Sequence, residues 1–166
     1  TAREVLAIRE NGPSRVVTLD GGGDIGCHSA LIATGVHYSR LEAPGVGPLT
    51  GSGVYYGAAR SEASVTQGLD VHLIGAGNSA GQAAMFFSNH ARTVTLIVRG
   101  EALEKSMSHY LIEQIRGKSN IKVALGSQVH AIHGDSRIEG IDIASRADGG
   151  VLREDCAGLF VFIGAD

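Results

Sequence analysis

Apolar positions recur along this chain at two spacings, and each spacing predicts its own kind of element. Residues 4–9 and 15–19 are short runs dominated by Val, Leu and Ile, and Asn11-Gly12-Pro13 separates them. They read as two β-strands, Glu4–Arg9 and Arg15–Leu19, joined by a turn whose residue types favour chain reversal. Ala30-Leu31-Ile32-Ala33-Thr34-Gly35 is apolar without alternation, the pattern of a strand buried on both faces and closed by a small-residue turn.

From Leu69 the pattern becomes more regular. Val71-His72-Leu73-Ile74 is a buried strand, after which Ala80, Ala83, Ala84 and Phe87 fall at helical spacing. Thr93–Val98 is a second strand. Met107, Tyr110, Leu111 and Ile115 mark one face of a second helix, with Gly117 as its stop. Ile121–Leu125 is a third short strand, and from Gln128 to Leu152 apolar and polar residues alternate, with turns at Gly134-Asp135 and Asp148-Gly149-Gly150. That stretch predicts an antiparallel meander, and Leu159-Phe160-Val161-Phe162-Ile163-Gly164 a last buried strand. The order β-α-β-α-β, meander, β describes a small parallel sheet with helices and an added β layer.

The join between the strand ending at Ile74 and its helix is Gly75-Ala76-Gly77-Asn78-Ser79-Ala80-Gly81. This G-x-G-x-x-A/G turn, between a strand and a helix, is the arrangement that binds a dinucleotide. Gly75 lets the strand turn sharply, and Gly77 lets a pyrophosphate approach the backbone and take N–H bonds from the helix start. Ala80 and Gly81 are small enough for helix and strand to pack closely. Gly21-Gly22-Gly23-Asp24-Ile25-Gly26 matches the same expression, but no helix follows it, so it reads as a hairpin loop. Pro44, Gly45, Gly47, Pro48, Gly51 and Gly53 crowd together, which reads as a linker or hinge at a domain boundary.

An acidic residue about 20 positions past the first glycine favours NAD, and an arginine there accommodates the 2′-phosphate of NADP. Counting from Gly75 reaches Arg99, so NADPH is favoured over NADH, with Glu101 as the opposing feature.

Composition narrows the remaining classes. Net charge is −3 over 166 residues, which gives no electrostatic case for a nucleic-acid partner or an anionic membrane surface. No apolar stretch reaches the roughly 20 residues that span a bilayer, and the reading is a soluble, cytoplasmic protein. Cys27 and Cys156 are far apart and form no C-x-x-C, so both read as ordinary thiols. His130 and His133, with Asp135 nearby, suit chelation poorly, because strand residues three apart face opposite ways. No metal site is expected, and His28, His109 and Tyr110 read as partly exposed polar positions.

The ordered set Ala33-Thr34-Gly35, Pro/Gly segment, Gly53-Val54-Tyr55-Tyr56, Gly75-Ala-Gly-Asn-Ser-Ala80, Val98-Arg99 and Phe162-Ile163-Gly164 resembles the middle of a thioredoxin-reductase-like flavoprotein. These enzymes are the class II pyridine nucleotide-disulfide oxidoreductases, in which an FAD domain is interrupted by an inserted NADPH domain. The resemblance covers nearly the whole chain. It implies an α/β fold with a small parallel Rossmann-type sheet, helices, an antiparallel β-meander and remnant strands of an FAD domain. By the same resemblance, residues 1–40 are the C-terminal part of the first FAD-domain segment, 41–158 the NAD(P)H-binding domain, and 159–166 a return strand toward the FAD domain. Ala33, Thr34 and Gly35 then match the turn beside FAD, and Gly75, Gly77, Asn78, Ser79 and Ala80 the NADPH pyrophosphate loop. Arg99 matches the first arginine of the 2′-phosphate motif, and Gly164 the turn near nicotinamide and flavin.

Two departures stand out. The family's C-x-x-C falls at Gly57-Ala58-Ala59-Arg60, where there is no cysteine, and Gly100 stands in place of the second arginine. The implied function is hydride delivery from NADPH to FAD within a longer polypeptide, without a dithiol of its own. No side chain is required as general acid or base. The fragment alone is expected to bind flavin poorly and to be inactive. The implied partners are a small-molecule nucleotide, a redox protein acceptor and a second copy in a homodimer. The alternative is a nucleotide-sensing or protein-interaction module that has lost turnover. An ordinary NADP-dependent dehydrogenase is disfavoured, since no Tyr-x-x-x-Lys set follows the loop.

Overall fold

The computed structural model describes residues 2–57 and 64–165, and backbone contacts divide the chain into two units, Thr1–Val36 and His37–Asp166. The first unit is an antiparallel meander in which β1 (Val5–Asn11) pairs with β2 (Ser14–Leu19), and β2 with β3 (Asp24–Cys27). The Arg9 guanidinium and the Thr18 hydroxyl both donate to the Asp24 carboxylate across this sheet. The loop expected over residues 21–26 is therefore shorter, because Asp24–Gly26 pair with Thr18–Val16 as strand.

Ala30–Thr34 is not the buried strand that its composition predicts. It has no regular structure, and Leu31 and Ile32 are 93% and 72% exposed. An apolar run becomes a strand only where a neighbour offers backbone donors and acceptors, and β2 is already flanked on both sides by β1 and β3.

The second unit has three layers. Its middle layer is a parallel sheet in the order β4-β11-β5-β6-β7. The strands are β4 (Val54–Tyr56), β5 (Asp70–Ile74), β6 (Thr93–Ile97), β7 (Ile121–Ala124) and β11 (Gly158–Val161). Alternation along these strands sorts the core into two faces. Val71, Leu73, Val94, Leu96 and Phe160 pack with α2 (Asn78–Phe87) and α3 (His109–Arg116). Ile74, Ile97, Leu159 and Val161 pack instead with Val129, Ile132, Ile141 and Ile143. These belong to the antiparallel sheet β8 (Ser127–His133), β9 (Gly140–Ser145) and β10 (Val151–Asp155). The domain boundary expected at residue 159 falls inside the parallel sheet, since β11 hydrogen-bonds to both β4 and β5.

The Pro/Gly segment expected as a hinge is packed. It contains α1 (Val46–Leu49), one turn whose Val46 and Leu49 are buried, and it is tied to the antiparallel layer by Ile132 N–H to Pro44 O and Ile138 N–H to Ser52 O, both 2.9 Å. Gly45 and Gly53 are required by close approach. A Cβ at Gly45 would lie 2.0 Å from the Ile132 carbonyl oxygen, and one at Gly53 2.2 Å from Ile138 Cγ2. Tyr110 is 73% exposed and Ile112 takes its expected place in the core, because Met107 precedes α3 and the apolar face is set by Leu111, Ile112 and Ile115.

At the opposite end of the sheet from the loop at Gly75, the Asp70 carboxylate accepts from both the Arg92 guanidinium and the Thr93 hydroxyl. The arginine, with the threonine adding to it, lowers the Asp70 pKa from 3.8 to about 2. A carboxylate whose pKa falls on folding contributes stability above the unfolded value, and that contribution is lost as pH drops from 3.8 toward 2. Asp70→Asn is accordingly expected to cost about 2 kcal/mol at neutral pH. Urea unfolding as a function of pH checks this, and the wild-type and variant curves should converge on the acid side.

Candidate functional site

Gly75 ends β5 with its N–H on Ile97 O (3.1 Å) and a backbone φ of +143°. A Cβ there would meet the Phe162 carbonyl oxygen at 2.5 Å, so the turn is closed tightly between two strands and only glycine fits it. Ala80, the residue meeting Gly75 from the helix side, is fully buried. Gly81 does not serve the helix–strand contact expected of it. Its face meets Leu111 and Met107, at 2.6 and 2.9 Å from where a Cβ would be, so its smallness lets α2 pack on α3 and the segment before it.

Gly77 is different. It sits at the N-cap of α2 with ordinary extended backbone, φ −85° and ψ 176°, and a Cβ on it would meet nothing within 4 Å. No side chain caps this helix, so its first-turn N–H groups remain available to an anion at the positive end of the helix dipole. The space in front of Gly77 is real on both sides. A cavity of about 520 Å³ is lined by Gly77, Ser79, Ala80, Val161, Phe162 and Gly164 among others, and a second of about 280 Å³ by Gly75, Gly77, Arg99 and Ser106. Gly77 belongs to both.

The structure thus gathers Gly75, Gly77, Ser79, Ala80, Arg99 and Gly164 from three strand ends and one helix start. Asn78 is there too, and its side-chain oxygen accepts from Ser108 N–H at 2.8 Å, which turns that side chain toward the segment before α3, while its backbone N–H lies in the uncapped first turn. Ser106 Oγ donates to Ala76 O at 2.8 Å. These two bonds, each spanning 30 residues, fasten the loop to the segment that leads into α3, and nothing in the local sequence announced them. Gly164 (φ +112°) has its carbonyl held by Ser39 N–H at 3.0 Å. Ala33, Thr34 and Gly35 lie in the other unit, exposed and without regular structure. Of positions 57–60, where the family's dithiol falls, Gly57 is described and 58–60 lie outside the described residues.

Elsewhere, His133 Nε2 is 2.8 Å from Asp142 Oδ2, and among the described residues no three His, Cys, Asp or Glu side chains gather as a metal would need. Both cysteines are free thiols. Burial pushes the Cys156 thiol up to about 12. His72, on β5, is 2% exposed in its side chain and bonds Glu154 at 2.8 Å, and desolvation lowers its pKa against the pull of that carboxylate. No helix among the described residues is long and apolar enough to cross a membrane.

The model of the pyridine nucleotide-disulphide oxidoreductase family matches residues 1–166. The chain belongs to that family. Members similar to it include the thioredoxin reductase of Mycolicibacterium smegmatis, 29% identical over 163 residues, which are 98% of this chain and 51% of the relative. The bifunctional thioredoxin reductase/thioredoxin of Mycobacterium leprae is 29% identical over 161 residues, 97% of this chain and 34% of the relative. Among solved structures, Lactococcus lactis thioredoxin reductase superposes with a TM-score of 0.76 at 23% identity, over 100% of this chain and 54% of that one. The Giardia duodenalis enzyme gives 0.79 at 20%, over 100% and 53%. The chain therefore spans about half the length of the single-function thioredoxin reductases among these, and it shares the mixed α/β fold of this flavoprotein oxidoreductase family.

Proposed function

We propose that the chain is the NADPH-binding portion of a flavin-dependent, thioredoxin-reductase-like oxidoreductase, delivering hydride from NADPH to FAD without a redox dithiol of its own. The observation that carries this reading is Gly77, open to space at an uncapped helix start and shared by two cavities, one reaching Arg99 and the other Gly164. An extended dinucleotide has its pyrophosphate in the middle and a different group at each end, and this site has the same order.

In this reading residues 41–158 form the NADPH domain, with β11 completing its parallel sheet. The backbone at Gly77, Asn78, Ser79 and Ala80 takes the pyrophosphate, Gly75 shapes the turn, and Arg99 meets the 2′-phosphate with charge-assisted bonds. Val161 and Phe162 give the larger cavity an apolar wall that excludes water. Residues 1–40 are the end of the first FAD segment, with Ala33-Thr34-Gly35 against FAD. NADPH, when bound, supplies the hydride and FAD accepts it; the protein binds, orients and desolvates. The intact protein is cytoplasmic, homodimeric and passes electrons to a redox protein acceptor.

Calorimetric titration of the chain with NADPH and NADH tests this. Tighter binding of NADPH, weakened about tenfold or more in Arg99→Ala, supports it, and heat from neither nucleotide would sink it. The alternative of a sensing or protein-interaction module draws on one fact, the missing cysteine pair at 57–60. NADPH-dependent reduction of an electron acceptor by the full-length protein would dispose of it.

A further inference from the structure

Arg99 is not the sole cation at the tip of β6. Arg146, 47 residues further on in the turn between β9 and β10, reaches back so that its Nη1 donates to the Arg99 carbonyl oxygen at 3.3 Å. Gly100, next to Arg99, offers no side chain. We propose that Arg146 is a specificity-determining residue of the nucleotide site, a second guanidinium that joins Arg99 on the 2′-phosphate of NADPH and makes good the cation missing at Gly100. This rests on the NADPH reading above and deepens it.

The backbone places Arg146 there independently of its side chain. Arg146 N–H donates to Gly126 O at 2.7 Å, and Gly126 N–H in turn to Gly100 O at 2.9 Å. One hydrogen-bonded path therefore runs from the residue beside Arg99 to the main chain of Arg146. The turn that carries it is closed on itself by Ser145 N–H to Gly150 O (2.8 Å), Gly149 N–H to Ser145 O (3.0 Å) and Gly150 N–H to Asp148 Oδ1 (3.0 Å). A guanidinium has five donors, and the bond to Arg99 O is the one that the structure gives Arg146.

Neither Arg99 nor Arg146 has an ion-pair partner among the described residues. Several surface arginines elsewhere in the chain do, as Arg92 with Asp70 and Arg116 with Glu104 and Glu113 show, although Arg40 and Arg137, like these two, have none among the described residues. Glu101 is the nearby carboxylate, and its oxygens lie over Gly126, 3.1 and 3.4 Å from where a Cβ would be. Arg99 lines the 280 Å³ cavity and the Arg146 guanidinium lies against the Arg99 main chain, and two guanidinium groups so close suit a dianionic phosphate better than a ribose hydroxyl, because each can add a charge-assisted bond.

The test is calorimetry of NADPH and NADH against the wild-type chain, Arg99→Ala, Arg146→Ala and Arg146→Lys, with thermal unfolding of each. Arg146→Ala is expected to weaken NADPH about tenfold, to leave NADH unchanged, and to leave the unfolding temperature where it was. Arg146→Lys should recover part of the loss, since it restores charge without the planar fork. If NADPH binding falls in Arg99→Ala but not in Arg146→Ala, or if Arg146→Ala weakens both nucleotides alike, this inference is wrong and the NADPH reading stands. If the wild-type chain binds neither nucleotide, that reading fails and this one falls with it.

Discussion

Gly77→Asp is expected to leave the chain folded, or slightly more stable, while reducing NADPH affinity by a hundredfold or more. The two halves of this outcome come from the same position. Aspartate is a preferred N-cap residue, able to accept from the N–H groups of the first helical turn, and such a cap is worth about 0.5–2 kcal/mol. The extended backbone at Gly77 suits any residue, and a Cβ has free space, so nothing opposes the substitution sterically. Yet the new carboxylate would take the donors, and add negative charge, at the place where the proposed function puts a pyrophosphate. Thermal unfolding and NADPH calorimetry read the two halves separately, with Gly77→Ala as the uncharged comparison. Unaltered NADPH affinity in a folded Gly77→Asp protein would mean that the nucleotide lies elsewhere. Gly75 lacks this separation of effects, because the Phe162 carbonyl already fills the place of its Cβ.

The largest effect on stability alone is expected from Phe160→Ala. Phe160 is fully buried on β11, and its ring lies 4.2 Å from that of Phe87 on α2 and 5.3 Å from that of Tyr55 on β4, centroid to centroid. It therefore joins an interior strand of the sheet, the neighbouring edge strand and α2, the helix that begins at the candidate site. Removing a buried phenylalanine loses its transfer free energy and leaves a cavity that the sheet cannot collapse to fill, for about 3–5 kcal/mol. Domains have roughly 5–15 kcal/mol in all, so the change takes a large share. Urea denaturation should show a lower midpoint at unchanged slope. A loss under about 1 kcal/mol would mean that the neighbouring rings repack.

What could be read from the sequence was what periodicity and local turn chemistry encode. The runs at Val71–Ile74 and Thr93–Val98 declare parallel strands because both faces are buried, and Gly75-Ala-Gly77 between strand and helix declares its own shape. The meander from Gln128 was legible for the same reason, as alternation with glycine at its turns. Ala30–Thr34 misled because composition reports a tendency to burial but not the presence of a pairing strand. The Pro/Gly segment misled because glycine serves close packing and fixed left-handed turns as well as mobility, and Gly45 (φ +89°) and Gly53 (φ +119°) are there for both of the first two reasons. In the candidate site, the glycines and Arg99 were visible as a motif, whereas Ser106, Ser108 and Arg146 were not. Their contribution lies in bonds spanning 30 or 47 residues, and a serine or arginine in a loop looks the same with or without such a bond.

The place of β11 has a consequence for how the second unit comes together. β5, β6 and β7 can pair as consecutive βα repeats, each with the strand just before it. β4 cannot join them directly, since its neighbour in the sheet is β11, in the register Leu159 to Val54. The first strand of the unit must wait for the last, and closing so long a loop carries an entropy that local pairing does not. Pairing of β4 with β11 is thus the long-range contact on which closure of this sheet depends, and Val161, which helps wall the larger cavity, stands in that pairing opposite Tyr56.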